Sequence, residues 1–495
     1  MQADKRQDID SHNYVTIREK GRKAERKKQM TKTTAHKIGN CSMLITILAL
    51  AWPTMLEQLM QTAVQYIDTA MVGSLGTQAT AAVGSTGTVN WLIGSTISAV
   101  GVGFLSYIAK AYGAGDQRAA KRAAAQAVFL TFVLGIFFTV LTVSLSGMVP
   151  VWMQVEPGIR RLTSQYFLIL YLPMLPRTAS IIFGTVLRAA GDTKSPMKIG
   201  VLVNLVNVTL NFLMIYPTRS MELFSLRFTM WGAGLGVIGA AIASAIAFTI
   251  GGICITFVLW RHKVISPKGE RFTPDMQILG PCMRVARPNM FQRFGTCLGY
   301  VAFAAMINSL GEVSTAAHTI ANTVESAFYI PGFGMQTAAA TLAGNAYGAR
   351  DERRMKSLAA MFVPLEIALM IGSGACLFLT APWLMGLFSG QAAVVSLGTA
   401  VLRMVAVSEP FYGFSIIIEG LMLGVGKTRA PFVFNIIGMW LVRIAGTYLC
   451  TQVFGFGLVS AWACMIAHNL LLFGLYLFCY RRGVWNPLRE EKKSL

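Results

Sequence analysis

Residues Pro53–Gly76 read PTMLEQLMQTAVQYIDTAMVGSLG. The stretch is long and apolar enough to cross a bilayer as a helix, which takes about 20 such residues. It nevertheless carries Glu57, Gln61, Gln65 and Asp68, spaced 4, 4 and 3. That spacing lines the four up on one helix face, a polar stripe about 16 Å long. Ionisable groups within a membrane are costly and mark function by default, facing a bundle interior or a wet cavity. The reading predicts a first membrane span whose working acids are Asp68 and Glu57.

The rest of the chain is built in the same way. Of 495 residues, 54% are hydrophobic and only 13% charged, whereas a soluble domain carries about a quarter. A soluble globule, a disordered chain and a disulfide-built secreted scaffold are excluded. Spans are expected at 44–73, 78–109, 123–150, 162–187, 197–216, 231–260, 284–309, 316–345, 358–388, 395–423, 431–454 and 456–480. The fold class is therefore an all-α polytopic membrane protein with 12 transmembrane helices. The net charge of +21 is a topology signal: 35 of 43 Lys and Arg fall in the tails and even-numbered loops, and four in the odd-numbered loops. The positive-inside rule places both termini in the cytoplasm of a cell (inner) membrane. No basic, aromatic-interleaved patch remains for nucleic acid. The eight cysteines form no CxxC pair and read as small buried hydrophobes.

A shift of 235 residues lays one half of the chain on the other. Pro53 falls on Pro288, Ser74-Leu75-Gly76 on Ser309-Leu310-Gly311, and Ala111-Tyr112-Gly113-Ala114 on Ala346-Tyr347-Gly348-Ala349. Gly191-Asp192-Thr193-Lys194-Ser195-Pro196 lies over Gly426-Lys427-Thr428-Arg429-Ala430-Pro431. The shift then becomes 221, so that Gly234-Leu235-Gly236 meets Gly455-Phe456-Gly457. Six spans are duplicated in the same orientation, the design of a transporter with a central site between two rocking bundles. The expected organisation is a disordered basic cytoplasmic tail (1–42), an N-terminal lobe (43–260), a cytoplasmic linker (261–283), a C-terminal lobe (284–480) and a cytoplasmic C-terminal tail (481–495).

Three patterns imitate enzyme motifs. Gly424-Val425-Gly426-Lys427-Thr428 resembles a phosphate loop, but the first required Gly is Leu421. Gly234–Gly239 matches a dinucleotide fingerprint yet lies in an apolar span rich in small residues, where it reads as helix packing. Gly113-Ala114-Gly115-Asp116 resembles an intramembrane protease element, but Asp116 sits among Lys110, Arg118, Lys121 and Arg122 and lacks a partner acid within a span. Enzyme activity is not expected.

The remaining acids in spans are Glu325, Glu366, Glu409 and Glu419. Glu366 and Glu419 are read as lying near cytoplasmic span ends, where ordinary pairing accounts for them. Glu57, Glu325 and Glu409 remain as cavity acids alongside Asp68. The repeat partners of the first-span stripe are Gln292, Thr296, Tyr300 and Phe303, so its carboxylates belong to the N-terminal lobe alone. Asn207 and Asn211, with Asn204, place amides along one short span, either as ligands for an ion or carboxylate or as glue between helices. Met60, Tyr66 and Trp91 are candidate substrate contacts. Arg177 and Arg443 lie deep in spans and call for partners, carboxylates being the natural ones.

At Pro53–Gly76 the chain begins to resemble bacterial multidrug and toxic compound extrusion (MATE) transporters. Four further segments carry the resemblance: AAGDTKSPMK (189–198), NLVNVTLN (204–211), GVIGAAIAS (236–244) and IPGFGMQTAAATLAGNAYGA (330–349). It covers residues 43–480 and implies two six-helix lobes around a V-shaped cavity. It also implies export of amphipathic, usually cationic compounds in exchange for H+ or Na+, with no cofactor, by a monomer in the bilayer. The family's first-span Asp falls on Asp68, its span-5 partners on Asn207 and Asn211, and a span-6 hydroxyl on Ser244. Together these imply a cation-coupling site, with Na+ at Asp68, Asn207 and Asn211 as one occupant. Position 211 carries an amide where that pattern has an acid. The span-7 and span-10 acids of another branch are absent, with Thr296 and Tyr412 near their places. Glu325, in VESAFYIPGFG, resembles a span-8 acid of some members. A lipid-linked precursor flippase of the same superfamily is the alternative transporter. An intramembrane enzyme or membrane scaffold is the alternative of another class.

Overall fold

The computed structural model describes residues 42–223 and 226–494; the expected disordered tail, but for Ser42, lies outside them. The chain divides into two compact units, residues 1–49 and 50–495. The first supplies only the opening turns of one helix among the described residues, and all the packing that matters here lies within the second.

Among the described residues, nine helices are long and apolar enough to cross a membrane: Ser42–Gly73, Thr77–Gly113, Gln117–Leu145, Lys194–Met214, Gly236–Arg261, Met276–Asn308, Glu352–Phe388, Arg429–Val453 and Leu458–Arg482. Two bent pairs, Pro157–Tyr171 with Met174–Ala189 and Ala392–Ala406 with Glu409–Gly424, bring the number to 11. The place of the eighth span is held by Glu312–Gly348, a 37-residue helix rich in Ala, Thr, Gly and Asn. It is long enough to cross but not apolar enough by composition, as suits a helix enclosed by others. Spans 1 to 12 are numbered in chain order, the bent pairs being spans 4 and 10.

The duplication is visible in the backbone. Gly76 and Gly311 open spans 2 and 8 at φ 110° and 98°, angles that only glycine adopts without strain. Asp116 and Asp351 cap spans 3 and 9, accepting from Ala119 N at 2.9 Å and Arg354 N at 2.8 Å. The protease-like Gly113–Asp116 element is thus a helix stop and a cap. The phosphate-loop imitation is a turn whose Gly426 has φ 78°. Spans 4 and 10 bend at matching places, by 51° and 52°.

The halves also differ. Between spans 5 and 6 the N-terminal half inserts a hairpin, β1 (Pro217–Leu223) and β2 (Leu226–Ala233). Residues 231–233, expected to begin span 6, are strand instead, and the helix starts at Gly236. Span 11 is α-helical over Arg429–Ile437 and Ala445–Tyr448 and is wound as π-helix over Gly438–Ile444 and Leu449–Val453. Such winding is rare and gathers at functional places. The linker is shorter than expected because span 7 begins at Met276. The last residues hold a short helix, Pro487–Ser494, tied to the turn after span 10 by Lys427–Glu490.

Each half has its own apolar core, one running from Met71 to Leu259 and including Cys282 and Ala340, the other around Phe303, Leu377 and Trp462. Span 2 packs against spans 7 and 8. There, a Cβ on Gly113 would lie 2.0 Å from the Asn345 carbonyl oxygen, and one on Gly348 would lie 1.9 Å from that of Lys110. Gly113 and Gly348 are repeat partners, as are Lys110 and Asn345, so the contact is reciprocal. The halves also meet where Thr54 Oγ1 donates to Gly334 O at 2.8 Å.

Candidate functional site

Spans 1, 5 and 6 bring Asp68, Asn207, Asn211 and Ser244 into one cluster. Span 5 buries Asn207 (5% exposed) and Asn211 (1%), one turn apart, and aims both at span 1. Asn211 Nδ2 donates to Asp68 Oδ1 at 2.5 Å. Oxygen and nitrogen of an amide are assigned from their network. With Nδ2 of Asn207 turned to the carboxylate, it donates to Asp68 Oδ1 (2.8 Å) and Oδ2 (3.3 Å), while its Oδ1 accepts from Ser244 Oγ (3.0 Å). In the opposite orientation Asn207 Nδ2 donates to Ser244 Oγ at 3.0 Å and its Oδ1 accepts from Asn211 Nδ2 at 3.3 Å. Asn211 Oδ1 is buried without a partner, as is Asn204 Nδ2. A half-buried carboxylate thus meets two amides, a hydroxyl and one spare carbonyl oxygen. Among the described residues, no arginine or lysine is hydrogen-bonded to it.

Glu57, at the far end of the stripe, is arranged differently. Arg188 Nη1 donates to both of its oxygens at 3.0 and 2.9 Å, and Nη2 donates to Thr185 Oγ1 at 3.1 Å. Both side chains are largely buried, 12% and 16% exposed. Glu57 is therefore ion-paired with Arg188 rather than free. Arg188 lies one residue past the expected end of span 4, among loop charges, so the sequence gives no sign of this pairing. Gln61 and Gln65, between the two acids, are exposed.

The substrate-contact candidates divide. Tyr66 hydroxyl donates to Thr323 O at 2.7 Å and lies 2.7 Å from Ser326 Oγ, joining span 1 to span 8. Trp91 packs edge-on to Tyr300, joining span 2 to span 7 with ring centroids 6.3 Å apart. Met60 is half-buried in span 1.

In the C-terminal half, Glu325 is 6% exposed and Glu409 2%. Glu366, read from the sequence as a paired acid near a span end, is fully buried with neither oxygen partnered. Glu419 does pair, accepting from Gln292 Nε2 at 2.9 Å. The deep arginines use π-faces and amides rather than the expected carboxylate contacts. Arg177 donates to Asn90 Oδ1 at 2.6 Å and lies over Tyr171 and Phe248. Arg443, in the π-helical stretch, lies 4.3 Å from the Phe303 ring centroid and 4.9 Å from that of Tyr300, the cation–π geometry. Among the described residues, no group of three or more His, Cys, Asp or Glu gathers to hold a metal ion.

Two like-built sets of six spans, with polar clusters inside them and contacts across their boundary, define a polytopic membrane transporter. A family model described as MatE matches residues 53–213 and 288–449, one match in each half, and the chain belongs to that family. It is a transporter and not an enzyme. A probable multidrug resistance protein NorM of Thermotoga maritima is 25% identical over 453 residues, covering 91% of this chain and 95% of its own. A probable multidrug resistance protein YoeA of Bacillus subtilis is 23% identical over 440 residues, covering 87% and 92%. Among solved structures, MATE in complex with MaL6 superposes with TM-score 0.82 at 22% identity, covering 90% of this chain and 97% of that one. An outward-facing multidrug resistance MATE transporter gives 0.81 at 22%, covering 90% and 96%.

Proposed function

We propose that this protein exports amphipathic, cationic small molecules from the cytoplasm in exchange for H+ or Na+, and that Asp68 carries the coupling ion. Both termini face the cytoplasm of a bacterial inner membrane in this reading, as the charge distribution requires. The supporting observation is the carboxylate of Asp68 held by Asn211 and Asn207 with Asn211 Oδ1 to spare. With Nδ2 of Asn207 toward the carboxylate, both amides donate to the charged form of Asp68, and a proton or Na+ taken up there displaces a donor. Loading therefore changes what holds span 1 to span 5, and span 1 also reaches span 8 through Tyr66.

The driving force suffices, since each charge crossing 100 mV supplies about 2.3 kcal/mol. The names of the relatives support drugs as cargo. A pyrophosphate-bearing lipid would call for several free arginines, and Arg443 and Arg177 are taken up by aromatic rings and Asn90. The test is uptake of tetraphenylphosphonium into inverted proteoliposomes under a proton or a sodium gradient. Wild type should accumulate it and Asp68→Asn should not, with both proteins folded; equal accumulation removes Asp68 from the mechanism.

A further inference from the structure

The cysteines read from the sequence as small buried hydrophobes, and two of them depart from that reading. Cys450 of span 11 and Cys464 of span 12 are half-buried free thiols whose sulfurs lie 3.9 Å apart. Cys464 sits against one turn of span 11: a Cβ on Gly446 would lie 3.2 Å from its Sγ and 3.6 Å from its Cβ. Thr447, on that same turn, is fully buried with its hydroxyl unpartnered. Cys450 follows Gly446 by about one helical turn. The missing side chain at 446 lets the two spans close up, and the next turn sets one thiol against the other. Both lie near the joint between the spans. Cys450 falls in the π-wound stretch Leu449–Val453 that ends span 11, and Cys464 comes soon after Leu458, where span 12 starts.

Packing alone does not call for sulfur here. Under the repeat, Cys450 falls on Ile215 and Cys464 on Ala243, so the N-terminal half joins its matching spans with ordinary apolar side chains. The C-terminal half has reason to hold this end of span 11 more firmly. Its last turn is closed by the wider π-type bond from Phe454 N to Leu449 O (3.0 Å), and the chain then returns through Phe456 N to Cys450 O (2.8 Å). A covalent bond between the sulfurs would pin that turn to span 12. Forming it asks the sulfurs to approach by about 1.9 Å, within the swing of a thiol about its Cα–Cβ bond. In the orientation proposed above the joint between spans 11 and 12 faces away from the cytoplasm, where thiols are not kept reduced.

We propose that Cys450 and Cys464 are a redox-active pair that closes into a disulfide, stapling span 11 to span 12 at their outer ends. The oxidant is a disulfide compound on the extracytoplasmic side. The Cys450 sulfur, its proton lost, attacks one sulfur of that disulfide; a mixed disulfide forms and the first leaving thiolate takes up the proton. The Cys464 sulfur then attacks the Cys450 sulfur, and the second leaving thiolate takes the proton from Cys464. The two thiols of the protein are oxidised to one S–S bond, and the incoming disulfide is reduced to two thiols. The choice of compartment rests on the orientation proposed above; the pairing does not.

The test treats the reduced, purified protein with 4,4′-dithiodipyridine, a lipid-soluble disulfide, and maps its cysteines by peptide mass spectrometry. Closure leaves the Cys450 and Cys464 peptides joined, lighter by two hydrogens and free of any pyridylthio group, and dithiothreitol separates them again. In Cys450→Ser the link is lost and Cys464 keeps the pyridylthio group instead. A pyridylthio group on each of the two cysteines of the wild type overturns the pairing. The closed wild type should also melt at a higher temperature than the reduced one, with no such rise in Cys450→Ser; equal melting overturns the staple. A second arm blocks free thiols with N-ethylmaleimide in intact, aerobically grown cells before lysis, while protease access to a tag on the C-terminus reports the orientation. A linked pair with a cytoplasmic tag supports the whole proposal. Blocked, unlinked thiols with a cytoplasmic tag overturn oxidation in the cell. A tag on the outer side removes the orientation reading, and the pairing is then decided by the purified protein alone.

Discussion

The N-terminal and C-terminal halves share a backbone and differ in what they bury. Where span 1 carries Asp68, span 7 carries Phe303, and where span 5 supplies Asn207 and Asn211, span 11 supplies Val442 and Gly446. Ser244 is matched by Met465. In place of a carboxylate among amides, the C-terminal half presents Arg443 stacked on Phe303. The joint between the first and fourth spans of each half is also rewritten. Glu57 meets Arg188 in one half, and Gln292 meets Glu419 in the other. Features that shape the backbone were retained in both copies. Polar residues buried inside the bundles differ between the copies.

The largest expected effect tests the claim that the amide-held acid belongs to one half only. Asp68→Asn should reduce ion-driven accumulation to background while leaving the melting temperature nearly unchanged, both read from one purified preparation. Next come the span 1–span 4 and span 7–span 10 joints. Glu57→Gln leaves a buried guanidinium without its directly bonded counter-charge and should cost about 3–5 kcal/mol, whereas Glu419→Gln keeps an oxygen to accept from Gln292 Nε2, loses only the charge within electrostatic reach of Arg293, and should cost about 1–3 kcal/mol. Detergent-solution unfolding of the two variants would rank them, and equal losses would show that the two joints are not distinct in kind. Tyr66→Phe, which removes one link between the halves, should cost about 1 kcal/mol. It should speed exchange of a spin label near Ser326, a change absent if the hydroxyl holds nothing.

The smallest effect concerns His262, outside the spans, whose Nδ1 accepts from Val264 N and Ile265 N, both at 3.2 Å. Burial holds its pKa below the ordinary 6.5, against a weaker opposing pull from Asp192. The neutral ring is thus the folded form. Its contribution is complete above about pH 6.5 and fades as pH falls through the lowered value. Protease nicking between spans 6 and 7 should rise on acidification and lose that dependence in His262→Gln.

Much of this was legible beforehand. Apolar runs marked the spans to within eight residues because lipid permits little else, and the 235-residue shift gave the duplication. The Gly113–Asp116 cap was legible as a loop because its acid had basic neighbours. The hairpin was not, since only residues 231–233 of β2 fall in the apolar run expected for span 6 and the rest lies in the loop before it. The Asp68 cluster was half legible: periodicity gave the acid, while the matching of Asn207, Asn211 and Ser244 to it came from resemblance. Periodicity along one helix says nothing about which neighbour it faces, and so Arg188 as the partner of Glu57 was missed. The depth of Glu366 is hidden for a related reason: hydropathy marks span 9 only from residue 358, whereas the helix begins at Glu352.

The matched bends of spans 4 and 10 bear on the history of the molecule. One falls at Leu172-Pro173 and the other at Val407-Ser408, places that coincide under the shift although only one has proline in the gap. A kink kept at the same angle through different residues is older than either of them. The single six-helix ancestor was already broken there, and each descendant copy inherited the hinge before choosing its own amino acids to fill it.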